Sequence, residues 1–364
     1  MITDVQSVRV MYHDTKVGTL SVGTNQRCLF EYDKRWLTDG FSISPLKLPL
    51  KPGLMMSNYF PFNGNFGVFE DSLPGGYGEY LLRKMLKKSG DNYEALTPVQ
   101  RLCLVGCSGM GALTYEPDFQ LPPISWQGSF DQMQQMVLDV LSEKTEENMD
   151  ALFFKSGNSG GARPKCIYSD KEGHWLVKFR HPYDPKNIGE LEYYYNQMAR
   201  QCGIIVPDFK LIEGKYFASR RFDIEKGQRL HVVTASGLLD ESINPPKMDY
   251  HSLLQLTGFL TQSPDEVEQQ FRRMVFNVAI GNFDDHARNF SFICCDGKWT
   301  LSPAYDLTND NTLGEHATTI NYKGIPTNED MIVVGTNIRI SRSRCQEIIT
   351  EINDVVNDKS QQAQ

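Results

Sequence analysis

Gly281-Asn282-Phe283-Asp284-Asp285-His286-Ala287-Arg288-Asn289-Phe290-Ser291, answered later by Ser302-Pro303-Ala304-Tyr305-Asp306-Leu307, is the stretch whose reading decides the fold of this chain. Asp284 is followed five residues later by Asn289, and Asp306 stands 17 residues further on, in a strand-like segment. At such spacing one carboxylate can accept a hydroxyl proton while the amide and the second carboxylate hold Mg²⁺. Mg²⁺ asks for hard oxygen ligands and binds through one or two carboxylates plus substrate phosphates. Asn289 and Asp306 are the residue types it needs. The plainer reading is that Asp284 and Asp285 cap a helix end and His286 packs in a loop. A metallohydrolase could also use Asp-Asp-His, but no H-E-x-x-H and no paired CxxC occurs to complete a zinc site.

The chain as a whole narrows the choice. Its 364 residues exceed one ordinary small domain and imply two or three structural units. It is 40% hydrophobic and 23% charged, with a formal charge of −8, so DNA contact requires a local basic patch or a partner. No apolar run of about 18 residues is present to cross a bilayer, and the N-terminus lacks the basic region and apolar core of a signal peptide. A cytoplasmic protein with no membrane partner is expected. Eight cysteines are scattered without a disulfide pattern and are expected to stay reduced; Cys103 and Cys107 read better as small hydrophobes than as half a metal site.

Along the chain, Val8 to Tyr12, Val17 to Val22 and Cys28 to Tyr32 alternate apolar and polar residues, which predicts an antiparallel meander. Gly76 to Lys88 places Tyr80, Leu81, Met85 and Leu86 at helical spacing, with Gly90 to end the helix, and the Gly-rich Val105 to Tyr115 returns to a strand. Leu121-Pro122-Pro123 marks a boundary. Phe130 to Leu141 is an amphipathic helix, and the charged Ser142 to Asp150 is a link.

The next stretch carries glycines. Ser156-Gly157-Asn158-Ser159-Gly160-Gly161-Ala162-Arg163-Pro164-Lys165 runs into a hairpin, Cys166 to Ser169 and Trp175 to Arg180. Glycines let backbone N–H groups cradle phosphate oxygens, although a Gly/Ser loop alone is more often simply flexible. Lys178 follows within an apolar strand, where a cation is costly unless paired. Its natural partner is Glu192 in the helix from Ile188 to Cys202, with Glu190 a competitor. Gly-rich loop, strand Lys, helix Glu, Asp-x₄-Asn and distal Asp then stand in the order of a protein kinase. A second hairpin turns at Glu213-Gly214, and Ser219 to Asp223 falls where a kinase joins its lobes. Ser263-Pro264-Asp265-Glu266 is a capping box opening a helix whose apolar face, Val267, Phe271, Met274, Val275 and Val278, leads into the Asp284 loop. Ser343 to Val356 is another packed helix, and Arg339, Arg342 and Arg344 before it read as a solvated turn more readily than as a phosphate-contacting patch.

These motifs together resemble the HipA toxins of bacterial type II toxin-antitoxin systems, serine/threonine kinases of a distinctive protein-kinase-like fold. The resemblance spans nearly the whole chain, through Val17-Gly18-Thr19-Leu20, Phe69-Glu70-Asp71-Ser72-Leu73-Pro74, Gly160 to Lys165, Gly281 to Ser291 and Pro303 to Leu307. It implies an α+β fold with a β-rich N-terminal subdomain at 1–123, a kinase N-lobe at 124–222 and a mainly α-helical catalytic lobe at 223–364. It makes Asp284 the catalytic base, Asn289 and Asp306 the Mg²⁺ ligands, Lys178 the contact to ATP phosphates and Glu192 its pair. Ser159, Gly160, Gly161, Ala162, Arg221, Phe222 and His286 become further nucleotide contacts. The family's autophosphorylated Ser falls at Asn158, so Ser159, and after it Ser156, are the candidate phosphoacceptors. The implied partners are a helix-turn-helix antitoxin of HipB type, operator DNA mainly through that antitoxin, and a protein substrate such as an aminoacyl-tRNA synthetase. The competing readings are a catalytically idle co-repressor scaffold and a small-molecule kinase.

Overall fold

The computed structural model describes residues 4–23, 25–119, 128–147, 149–156 and 161–362, and for residues 154 and 359–362 the backbone alone. The expected boundary at Leu121-Pro122-Pro123 lies outside the described residues. The chain forms two compact units, Met1–Glu190 with Lys210–Val233, and Leu191–Phe209 with Thr234–Gln364.

In the first unit the meander forms as its alternation predicts. Strands Ser7–Tyr12, Thr15–Val22 and Cys28–Tyr32 pair in sequence, with Met55–Met56 beyond the third and Leu113–Glu116 beside the first. Val8, Val10, Val17, Leu20, Cys28 and Phe30 are buried on it. Gly18 is obligatory there, since a Cβ would meet Glu31 O at 2.4 Å and the Phe30 ring at 2.6 Å.

The helix Gly76–Lys88 has its expected bounds, but its buried face is Tyr77, Leu81 and Leu82, with Tyr80, Met85 and Leu86 packed around them. A second sheet runs in the order Lys165–Asp170, Gly173–Lys178, Tyr216–Arg220, Phe209–Ile212. It shares one apolar core with the helices Gly76–Lys88 and Phe130–Leu141, through Leu81, Met133, Val137, Trp175, Val177 and Tyr216. Each such side chain contributes about 1.5–3 kcal/mol on burial. The stretch Ser142 to Asp150 is not wholly a linker: a helix Met149–Ser156 begins inside it, its apolar Met149, Leu152 and Phe153 closing the same core. Ser219 to Asp223 stays within this unit, and the chain leaves it at Val233.

The second unit is mainly helical. Helices Tyr250–Thr261, Pro264–Ile280, Asn328–Asn337 and Arg342–Gln362 surround a hairpin of Ser291–Cys295 and Lys298–Leu301. Ser263 caps the Pro264–Ile280 helix, accepting from Glu266 N at 3.4 Å. The capping box is only half formed, because the Glu266 carboxylate instead accepts from Leu301 N at 2.6 Å and ties the helix start to the hairpin. Phe271, Met274 and Val275 are buried as their spacing predicts, and so are Gln270, Arg272, Arg273 and Asn277. The helix is enclosed almost all round. At Gly335 a Cβ would lie 2.5 Å from Cys345 Sγ and 2.7 Å from the Phe271 ring, so three helices meet there with no room for a side chain.

Candidate active site

The Pro264–Ile280 helix ends at Gly281, whose φ of 66° is the left-handed turn that glycine adopts without strain. Asn309 Nδ2 donates to Ile280 O at 2.6 Å and closes the exposed helix end. The two carboxylates that follow have opposite fates. Asp284 keeps about half of its side chain in solvent (49%), while Asp285 is 1% exposed. Asp285 Oδ2 accepts from Tyr250 Oη at 2.9 Å and lies 2.9 Å from His316 Nδ1, and its Oδ1 accepts from Thr318 N at 3.1 Å. Burial first, and then the adjacent Asp285 charge, push the Tyr250 phenol well above its ordinary value, so it remains a donor. Asp285 is thus the brace of the loop, and Asp284 keeps its carboxylate half in solvent.

Asn289 Nδ2 donates to Asp284 O at 2.7 Å across the single turn Ala287–Asn289. That commits the amide nitrogen and leaves Oδ1 for a cation. Asp306 follows the hairpin in the left-handed region, φ 52°, and its carbonyl accepts from Asn282 Nδ2 at 3.2 Å. Tyr305 Oη donates to Arg288 O at 2.8 Å and sits 2.5 Å from Ser291 Oγ, pinning the Asp306 segment to the loop. Asn289 and Asp306 line one small cavity together with Asn282, Asn277, Asp285 and Arg273. Burial pulls the Arg273 guanidinium down to about 10. His286 Nε2 lies 3.9 Å from Asp284 Oδ1, and its Nδ1 is buried with no hydrogen-bond partner among the described residues.

An amide oxygen and a carboxylate facing one cavity are a donor set of the hardness Mg²⁺ prefers. No group of three or more His, Cys, Asp or Glu among the described residues makes an all-protein metal cage. The pair therefore fits an ion that takes its remaining ligands from phosphate and water.

The first unit holds the other predicted residues. Gly161, φ 90°, accepts from Tyr77 N at 3.3 Å, and Ala162 packs where a Cβ on Gly76 would come within 3.2 Å. Ser159 and Gly160 lie outside the described residues. Ser156 is 1% exposed and its hydroxyl donates to Phe153 O at 2.8 Å. Lys178 closes its strand 5.9 Å from the Phe217 ring centre and stands in register opposite Lys165. Lys165 was not singled out by sequence reasoning. It is 6% exposed, and a Cβ on Gly161 would meet its Nζ at 2.8 Å. A second cation beside the Gly-rich loop was hidden because a strand-opening Lys ordinarily faces solvent.

Of the two acidic candidates on the Ile188–Gln201 helix, Glu192 is buried and Glu190 exposed. Glu192 belongs to the second unit and Lys178 to the first. Arg221 lies in the first unit. Its guanidinium is committed to Asp223, with Nε to Oδ1 at 2.9 Å and Nη2 to Oδ2 at 2.6 Å, and Gly111 N adds a donor at 3.1 Å. Burial opposes ionisation of Asp223, but the Arg221 contact outweighs it and holds the carboxyl below its usual range. Phe222 beside them is half-buried. In the second unit, Arg342 pairs with Glu329 at 2.6 Å and Arg344 with Glu268 at 2.8 Å and Glu347 at 3.0 Å. Two of the three arginines of the cluster therefore face carboxylates.

Among the described residues no helix is long and apolar enough to cross a membrane. All eight cysteines are free, Cys103 buried and Cys107 exposed.

Residues 8–116 match the HipA N-terminal domain and residues 157–359 the HipA-like C-terminal domain. A Sinorhizobium fredii protein named "Putative kinase Y4dM" is 25% identical over 325 residues, 82% of this chain and 76% of its own length. A Haemophilus influenzae protein named "Putative kinase" is 27% identical over 157 residues, 38% of this chain and 46% of its own. In the solved complex of the Shewanella oneidensis MR-1 toxin-antitoxin system HipA, HipB and its operator DNA, one chain superposes with a TM-score of 0.72 at 19% identity. That match covers 96% of this chain and 88% of the other, and it shows a common kinase-like α+β fold. With both of its domains matched in order along the sequence, this chain belongs to the HipA family.

Proposed function

We propose that this chain is a Mg²⁺- and ATP-dependent serine/threonine kinase, the cytoplasmic toxin of a pair whose antitoxin is a helix-turn-helix protein of HipB type. The observation that carries the reading is the contrast within Asp284-Asp285: one carboxylate is half in solvent, on a residue whose backbone carbonyl accepts from Asn289, and the other is locked in a buried network. Asp284 orients the acceptor hydroxyl and takes its proton. Asn289 and Asp306 hold Mg²⁺, which supplies positive charge to the transferring phosphoryl group. Gly161, Ala162 and Lys178 receive ATP phosphates, Glu192 is a nucleotide-site residue of the second unit, and His286 serves the transferred group. Ser159 is the phosphoacceptor of the loop, and the protein substrate is a translation component of the aminoacyl-tRNA synthetase class. Two naming facts support this: the relatives are named as kinases, and the Shewanella fold match is solved with HipB and operator DNA.

The test is incubation of the purified protein with ATP, Mg²⁺ and a cell lysate, followed by mapping of new phosphosites. New serine or threonine phosphate on a protein, absent from an Asp306→Asn control, is the expected result. Phosphate only on small molecules would overturn the protein-kinase reading. Phosphate on the chain itself only outside residues 156–159 would retire Ser159 as the phosphoacceptor and leave the kinase reading intact.

A further inference from the structure

We infer that Asn282, a residue that need not touch nucleotide, metal or acceptor, is the positioning residue that sets the orientation of Asp306, and that it draws this role from buried Asp285. The inference rests on the kinase reading of Asp306. Its starting point is the backbone of Asp306, a non-glycine residue at φ 52°. That conformation costs about 1–3 kcal/mol and persists only where the surroundings enforce it. Asn282 Nδ2 supplies the enforcement through its bond to Asp306 O at 3.2 Å.

The same nitrogen also donates to Asn277 Oδ1 at 3.1 Å. A primary amide has two hydrogens on one nitrogen, so one side chain can serve both acceptors. Asn277 Nδ2 in turn donates to Tyr250 Oη at 2.9 Å, and Tyr250 Oη donates to Asp285 Oδ2 at 2.9 Å. From Asn282 to Asp285 every proton points toward a carboxylate that only accepts, and the second Nδ2 hydrogen of Asn282 points the opposite way, to Asp306 O. With Asn277, Asn282 and Asp285 all 3% exposed or less, and Tyr250 fully buried, these bonds are shielded from bulk solvent. The buried charge at Asp285 therefore dictates which end of each amide is donor, and so that Asn282 presents N–H and not C=O to Asp306. The second Asp of the Asp-Asp pair acts on the metal ligand through three intervening side chains.

The discriminating variant is Asn282→Asp, equal in size but unable to donate when ionised. The measurement is Mn²⁺ binding, followed by electron paramagnetic resonance of the full chain with a non-hydrolysable ATP analogue, beside titration of that analogue without metal. Removing a group that orients a metal ligand weakens metal binding about 10- to 100-fold. That loss is expected for Asn282→Asp, with metal-free nucleotide affinity unchanged. A folded Asn282→Asp with wild-type Mn²⁺ affinity overturns the inference. So does an equal fall in metal-free nucleotide affinity, which a merely structural role would produce. If Asn282→Asp does not fold, Tyr250→Phe keeps the ring in the core and removes one link; a smaller but measurable loss of Mn²⁺ affinity is expected, and none overturns the inference. Failure of the wild-type chain to take up Mn²⁺ with nucleotide would overturn the kinase reading and this inference with it, whereas wild-type uptake matched by the variants overturns this inference alone.

Discussion

The loop from Gly281 to Ser291 and the described end of the Gly-rich loop, Gly161 to Pro164, are held in different ways. Behind the first stands a buried polar scaffold, in which Tyr250, His316, Thr318 and Asn277 fix Asp285 and Asn282 by side-chain hydrogen bonds. The second is held by backbone bonds at its rim, Tyr77 N to Gly161 O and Phe179 N to Pro164 O, and by a partly exposed pair of Arg163 with Asp184 at 3.1 Å. Side-chain scaffolds fix direction, which proton transfer and metal ligation require to within fractions of an ångström. Backbone anchoring at the rim fixes only where a loop starts and ends. The consequence is that substitutions should change the rate constant in one region and nucleotide affinity in the other.

The largest effect expected is at Asp284. Asp284→Ala should lower single-turnover phosphoryl transfer by about 10²–10⁴-fold and leave ATP affinity near wild type, measured by titration. An equal loss of ATP binding would break the division between the regions. Asp306→Asn should cost about 10²–10³-fold in the same assay, with little change in thermal unfolding. Wild-type turnover by that variant would remove Asp306 from the site.

A third change addresses Arg221. Arg221→Leu strands the Asp223 carboxylate in the interior, and loss of one partner of a buried pair costs about 3–5 kcal/mol. Denaturant unfolding should show this near pH 7. The sign follows from the depressed folded-state value of Asp223: the pair's contribution is present above the usual carboxylate range and fades as pH falls through the lower folded value. If Arg221→Leu left stability intact and raised only the ATP half-saturation, Arg221 would be a nucleotide contact after all.

The smallest effect is expected at the basic cluster. Arg342→Ala with Arg344→Ala should leave the salt dependence of operator binding by a complex with the antitoxin unchanged, because both guanidiniums already face carboxylates. A flattened salt slope would show that phosphate competes with Glu329 and Glu268 for them.

What could be foreseen from the sequence divides along similar lines. The meander and the hairpin at Asp170 to Gly173 were readable because period carries them, and Asn289 and Asp306, picked out by spacing, line one cavity. The brace was not readable. Asp285 meets His316 and Thr318 from more than thirty residues away, and nothing local marks an acidic residue for burial. The Pro264–Ile280 helix is similar: its apolar stripe was visible, but nothing local marks Arg272, Arg273 and Asn277 for burial. They are buried because Cys202 O, Ser302 O and Tyr250 Oη, supplied by distant segments, satisfy them. Glu266 likewise had a local partner on paper and a remote one in the fold.

The meeting of three helices at Gly335 has a consequence for the order in which the protein is made. The Arg342–Gln362 helix leaves the ribosome after Asp284, Asn289 and Asp306, yet its Cys345 packs on Gly335 and Phe271, the latter in the helix that carries the loop. Arg272 of that same helix bonds to Glu351 at 2.8 Å. A nascent chain that already contains every residue of the site still lacks the wall against which its supporting helix is pressed. The packing that completes that wall waits until synthesis has passed the site by two more helices, Asn328–Asn337 and Arg342–Gln362.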